Sequence, residues 1–151
     1  MTTVRIETQA PGEESCRDEL ERVLGAQPGR EPGWGSRVLA AAALREDPFA
    51  AFLRAVETGP DGESLAGGAL LLGLAGPGEA QARPWFAALW VRSDLRGRGL
   101  GRKLARKVED LARAGGGEEL VLEVGPEDDT ALFTAERWGF FRERLWMSRS
   151  L

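Results

Sequence analysis

The sequence predicts an α+β fold built on one central mixed sheet, and three observations carry that prediction. Alternating and helical hydrophobic patterns succeed one another in the order β-α-α-β-β-β-α-β-α-β. Thr58-Gly-Pro-Asp-Gly-Glu63 is a hairpin signal between two apolar runs. Pro84–Val124 reads as strand, helix, strand, a crossover that requires parallel strands and is right-handed in nearly all folds. Antiparallel N-terminal strands therefore come first, one βαβ crossover follows, and helices flank the sheet.

Each element has its own warrant. Val4–Thr8 alternates as a short strand. Pro11-Gly12 introduces a helix over Glu13–Leu24, in which Cys16, Leu20, Val23 and Leu24 form one apolar stripe and Gly25 supplies the stop. Residues 25–35 are loop-like, with Trp34 either exposed or folded over a pocket. Ser36 caps a second helix running to about Arg45, which Asp47-Pro48 ends. Phe49–Glu57 and Ser64–Ala75 form the hairpin strands; Gly76-Pro77-Gly78 then turns the chain into a strand over Pro84–Val91. Simple alternation puts Trp85 and Trp90 on opposite faces of it. Gly99–Ala114 is a helix whose Leu100, Leu104, Val108 and Leu111 share a face. Glu119–Val124 is a strand, Pro126-Glu127-Asp128-Asp129 starts a helix that Gly139 stops, and Phe140–Leu151 closes as a strand.

The totals bound the function. The 151 residues make a single domain, 1–151, long enough to bury roughly two-thirds of its unfolded surface. The N-terminus lacks a signal peptide's apolar core, and Leu65–Ala75 is too short and glycine-rich to span a bilayer, so a cytoplasmic protein without a membrane partner is expected. Cys16 is alone and at helical spacing, a buried filler. With no histidine, the commonest zinc sites and every His-based triad are absent, and no metal is expected. A net charge of −4 argues against a nucleic-acid partner. Basic residues nevertheless crowd positions 92–107, leaving an acidic remainder suited to an amine. The chain has no Tyr or Asn, and Ile6 is its only isoleucine, the imprint of a G+C-rich genome.

That basic stretch carries the chemistry. Leu89-Trp-Val-Arg-Ser-Asp-Leu-Arg-Gly-Arg-Gly-Leu-Gly-Arg-Lys-Leu104 joins a strand to a helix through a turn rich in Arg and Gly. A Walker A loop needs glycine, not Arg102, five residues after Gly97. A Rossmann fingerprint needs its third glycine at Arg102 or Leu104. What remains is Arg96-x-x-Gly99-x-Gly101, where Gly97, Gly99 and Gly101 expose backbone N–H groups to phosphate at a helix N-terminus. The helix begins with Arg102, Lys103, Arg106 and Lys107 and carries Glu109 and Asp110 later, against the preference of its dipole. A bound polyanion more than offsets that cost.

Residues 89–104 closely resemble the acetyl-CoA motif of the GNAT N-acetyltransferases, Gln/Arg-x-x-Gly-x-Gly/Ala being met by Arg96, Gly99 and Gly101. Leu122-Glu-Val124 and the helix ending Trp138-Gly139-Phe140 resemble later segments of that family. From Phe49 onward the order of elements matches; the first 48 residues match only in broad form. The resemblance implies a GNAT-like sheet and acetyl-CoA as co-substrate. It implies that backbone groups of Leu89, Trp90 and Val91 hold the pantetheine arm as another strand would. It also implies that Gly97, Arg98, Gly99, Leu100, Gly101 and Arg102, with Arg96, cradle the pyrophosphate. The N–H of Val91 would polarise the thioester carbonyl, an oxyanion-hole role.

Acetyl transfer to an amine needs a base, a stabilised oxyanion and a proton for the departing thiolate. Glu123 is the candidate general base: its place between Leu122 and Val124 suggests partial desolvation, and the resemblance implies the role, since N-terminal-amine acetyltransferases of the family use a glutamate at the matching position. The family's usual acid, a tyrosine on the last helix, falls on Ala135. Asp128 stands where the family often has asparagine and reads as an N-cap. Two functions are thus expected in order. The first is an acetyl-CoA-dependent N-acetyltransferase acting on a small-molecule or peptide amine by direct transfer in a ternary complex. The second is a non-catalytic acyl-CoA-binding module that has lost the general acid. The acceptor and the oligomeric state, a homodimer included, stay open at this point.

Overall fold

A computed structural model describes residues 3–27, 30, 31, 33–43, 46–75, 80–125, 127–143, 149 and 150. Five strands form one mixed sheet whose spatial order is the chain order: β1 (Thr3–Gln9), β2 (Ala51–Gly59), β3 (Gly62–Leu74), β4 (Arg83–Val91) and β5 (Val121–Leu122). The helices are α1 (Arg17–Gly25), entered through a 3-10 turn at Glu14–Cys16, then α2 (Trp34–Ala43), α3 (Leu100–Ala114) and α4 (Asp129–Arg137). Strands β1 to β4 pair antiparallel, and the β2–β3 hairpin turns at Pro60-Asp61 where the sequence predicts it. The α+β expectation holds. The chain divides into two compact units, Met1–Val121 and Leu122–Leu151.

Helices cover both faces of the sheet in the first unit. Neighbouring residues of a strand point to opposite faces, and Gly67 and Gly68 in β3 report what lies on each. A Cβ on Gly67 would come within 3.4 Å of Leu104 in α3; one on Gly68 would come within 2.7 Å of Val23 in α1. Small residues here let both helices approach the sheet closely. Leu20, Val23 and Leu24 of α1 pack with Cys16 on Phe52, Leu70, Leu72 and Trp85, and Leu104 and Val108 of α3 are fully buried. Burying each such leucine contributes about 1.5–3 kcal/mol. Arg54 of β2 ties α1 to the sheet, with bonds of 3.0 Å to both carboxylate oxygens of Glu19 and one of 2.7 Å to Glu7 in β1.

Several boundaries differ from expectation. Trp85 and Trp90 share a face: Trp85 belongs to the core under α1, and Trp90 packs against that same core. The reason is a β-bulge. Leu70 pairs with Ala88 but Leu71 with Phe86, so Ala87 is an inserted residue that inverts the alternation beyond it. Helix α2 begins at Trp34, which places Ser36 inside its first turn rather than at its cap. The strand expected over Glu119–Val124 shortens to Val121–Leu122, with Glu119 instead 3.2 Å from Arg83. Residues 140–143 are not a strand. The Gly76-Pro77-Gly78 turn, Arg45, Pro126 and the closing strand over 144–148 and 151 lie outside the described residues.

Candidate active site

The outer edge of β4 follows from one backbone bond. Arg92 N donates to Ala66 O at 2.9 Å, which makes Arg92 and Ala66 a hydrogen-bonded pair. Such pairs alternate along an antiparallel ladder, so the N–H and C=O of Leu89 and Val91 point away from β3. Leu89 and Val91 thus present outward the groups that the expected strand-like pairing with pantetheine uses, whereas those of Trp90 face β3. The bulge at Ala87 lies two residues before this edge. Residues of this kind recur next to active sites because they end or redirect pairing.

Past Val91 the chain makes a short 3-10 turn, Ser93–Leu95, and then the glycine turn. Gly97 and Gly99 both adopt left-handed backbone, with φ of +76° and +85°. A Cβ at either would meet no atom within 4 Å, so conformation rather than crowding selects glycine. The space in front of the backbone is open. Gly99 caps α3 with no side-chain hydrogen bond, which leaves first-turn N–H groups directed at the turn. Such a run of N–H groups, with the positive end of the helix dipole behind it, is an anion nest. Arg96 turns back from its exposed position to bond the carbonyl of Val91.

The crowd of basic residues separates into two kinds. Arg92 is committed locally: it bonds Asp94 at 2.6 and 3.1 Å, Ser64 at 3.1 Å, and the mostly buried Glu57. Asp94 first and Glu57 second hold its guanidinium charged, while Arg92 in turn lowers the pKa of Asp94. Arg92 therefore fastens the exit of β4 to the hairpin. Arg102, Lys103, Arg106 and Lys107 are exposed, and no carboxylate among the described residues pairs with them. Their charge stays available to an anion at the head of α3.

Other expected groups fall as follows. Leu100 is buried beneath the turn, and Arg98 and Arg102 are exposed on it. Cys16 is a buried filler whose thiol bonds Glu13 O; burial, then Glu13 and Glu19, push its pKa up, away from nucleophile behaviour. Trp34 lies half-buried over a pocket, edge-on to Trp85 with ring centres 6.4 Å apart. In the second unit Glu123 follows β5 and is exposed, so the partial desolvation expected from its place between Leu122 and Val124 is not found. Asp128 is the N-cap of α4, accepting from Ala131 N at 3.0 Å, and Ala135 is buried in that helix. Among the described residues no three His, Cys, Asp or Glu side chains converge as a metal site, and no helix is long and apolar enough to cross a membrane.

Sequence reasoning missed one residue at this edge. Gln27, just past α1, bonds both backbone groups of Leu89. No pattern flags it, because the contact spans two segments far apart in sequence.

The model of the acetyltransferase (GNAT) family matches residues 14–140. The chain belongs to the GNAT acetyltransferase family. Its GNAT match runs across both compact units, from the 3-10 turn before α1 to Phe140, just past α4. Solved structures share the fold. AAC(6')-Iy, in complex with a bisubstrate analogue of CoA and acetylneamine, superposes with a TM-score of 0.69 at 16% identity, covering 99% of each chain. A Trypanosoma brucei acetyltransferase gives 0.63 at 22% identity, covering 99% of this GNAT chain and all of its own. An aminoglycoside acetyltransferase from an uncultured soil metagenomic sample, in complex with sisomicin, gives 0.65 at 17%, covering 98% and 96%. No curated protein matches the chain by sequence.

Proposed function

We propose that this GNAT protein is an acetyl-CoA-dependent N-acetyltransferase that moves the acetyl group to a primary amine by direct transfer in a ternary complex. The observation that carries the reading is the β4–α3 turn, with two left-handed glycines opening onto a basic helix N-terminus that no side chain caps. Gly97, Arg98, Gly99, Leu100, Gly101 and Arg102 hold the pyrophosphate, with Arg96 bracing the turn from Val91. The outward groups of Leu89 and Val91 hold the pantetheine arm.

Acetyl-CoA, when bound, supplies an activated thioester. Glu123 takes the proton of the acceptor ammonium, through water, and so frees the nitrogen lone pair that attacks the thioester carbonyl carbon. The N–H of Val91 donates to the oxygen on which negative charge builds. As the carbon–sulfur bond breaks, water protonates the departing sulfur, since residue 135 is alanine. A thiol with a pKa of about 8.5 leaves readily without a dedicated acid. Neighbours solved with neamine-derived and sisomicin ligands put aminoglycosides first among acceptors to test, ahead of polyamines, amino acids and peptide N-termini. The donor implies a cytoplasmic setting.

The absence of any tyrosine favours a second reading, a non-catalytic acyl-CoA-binding module. Thiol release from acetyl-CoA across that amine panel separates the two. Turnover that falls roughly 100-fold or more in Glu123→Gln, with unchanged affinity for acetyl-CoA, supports the enzyme. Submicromolar binding with no turnover on any amine makes it the module.

A further inference from the structure

The carboxamide of Gln27 occupies the stretch of β4 that the proposed donor needs. Its Nε2 donates to Leu89 O at 2.9 Å and to Val23 O at 2.9 Å, and its Oε1 accepts from Leu89 N at 3.4 Å. An amide bonded to both the N–H and the C=O of one residue imitates a neighbouring strand, and equally any other amide laid along that edge. A carbonyl has two lone pairs, but a backbone N–H has one proton to give. A second amide therefore cannot take Leu89 N–H while Gln27 keeps it. The residue also lines a pocket of about 370 Å³ between the end of α1 and the start of α2, with Glu21, Glu31 and Trp34. The pocket gives a displaced side chain somewhere to go.

We infer that Gln27 is a displaceable latch on the donor edge: it satisfies Leu89 when no acyl-CoA is bound, and the pantetheine arm takes those two bonds from it. The inference rests on the acetyl-CoA reading above. Donor binding then spends part of its interaction on breaking the latch, and the freed carboxamide swings toward the α1–α2 pocket. The groups of Leu89 are satisfied in both states, so a half-buried polar edge is never left bare.

The chain has three glutamines, Gln9, Gln27 and Gln81, and no asparagine, so only three side-chain carboxamides contribute to a ¹⁵N spectrum. The Gln27 signal is the one that disappears in Gln27→Ala. On titration of the wild-type protein with CoA, that signal should move toward the position of exposed Gln81, at the concentrations where calorimetry reports binding. Adenosine 3′,5′-bisphosphate, which has nucleotide phosphates but no pantetheine, should leave it in place. Folded Gln27→Ala should bind CoA about five- to tenfold more tightly, the effect of one net hydrogen bond no longer broken. Saturation with CoA while the Gln27 signal stays still overturns the latch alone, as does unchanged or weaker binding by the folded variant. Calorimetry showing no CoA binding to the wild type overturns the donor reading, and the latch with it.

Discussion

Arg96 donates from Nε to the backbone carbonyl of Val91 at 3.0 Å, so the first residue of the glycine turn holds the last residue of β4. The bond fixes the turn relative to the strand edge. The two proposed halves of the donor site, nest and edge, are thereby set in one geometry. Arg96→Ala removes this brace together with a positive charge. Affinity for CoA measured by calorimetry should fall about 10- to 100-fold, the range for a charge-assisted bond. Arg96→Lys should recover little, because an ammonium lacks the directed Nε–H. Wild-type affinity in the alanine variant would show that the turn keeps its shape unaided.

Gly99→Val tests the nest directly. At φ +85° a β-branched residue is strained even though its Cβ has open space, at a cost of about 1–2 kcal/mol. The side chain would also stand where phosphate oxygens approach the backbone. CoA binding should be lost while far-ultraviolet circular dichroism stays native. Retention of CoA affinity would remove the basis for placing the pyrophosphate there.

Gly68→Ala should destabilise through crowding rather than backbone strain. Its Cβ would sit 2.7 Å from Val23 and 3.3 Å from Leu53 O, where the closest approach of α1 to β3 leaves no slack. Overpacking of this kind costs about 1–3 kcal/mol. In a protein of this size, roughly 2–4 °C of melting temperature is lost per kcal/mol. Urea denaturation should show a lower midpoint with an unchanged slope.

Acid should weaken two surface ion-pair groups. Arg92 lowers the pKa of Asp94 below its ordinary 3.8, and Arg5, with Arg54, lowers that of Glu7 below 4.5. A carboxyl with a depressed folded pKa adds stability above its unfolded value and loses it as pH falls through the folded one. Melting temperature should therefore lose these contributions only below about pH 4.5, with the Asp94 share going below about 3.8. Asp94→Ala should show a smaller loss across that lower window, and an equal loss would assign the acid sensitivity elsewhere.

Legibility in the sequence tracked how local each cause is. The α3 stripe, the Pro60-Asp61 hairpin and the Asp128 cap each depend on residues a few positions apart, and all three are where the pattern puts them, save that Leu111 is half-buried and Ala105 and Ala112 complete the buried face of α3. The face of Trp90 depends on a bulge at Ala87 that no periodicity announces, and so alternation misplaced it. The start of α2 departs from the sequence pattern for a similar reason. Trp34 looks like a loop residue in sequence, but packing against Trp85 draws it into the first turn of a helix. At the glycine turn, Arg96, Gly97 and Gly99 were legible because contiguous backbone makes the turn. The commitment of Arg92 to Glu57 and Asp94 was not, since Glu57 arrives from another strand.

By itself the sequence determined the family, the order of elements from β1 to α4 and the left-handed glycine turn. Each is written in neighbouring residues, and glycine at a left-handed position needs no distant partner to express itself. Only the tertiary structure decided which basic residues are tied to carboxylates, which face Trp90 takes, and that Gln27 rests on Leu89. Those outcomes depend on side chains meeting across strands and helices, where packing and hydrogen-bond competition, rather than local pattern, choose the partner.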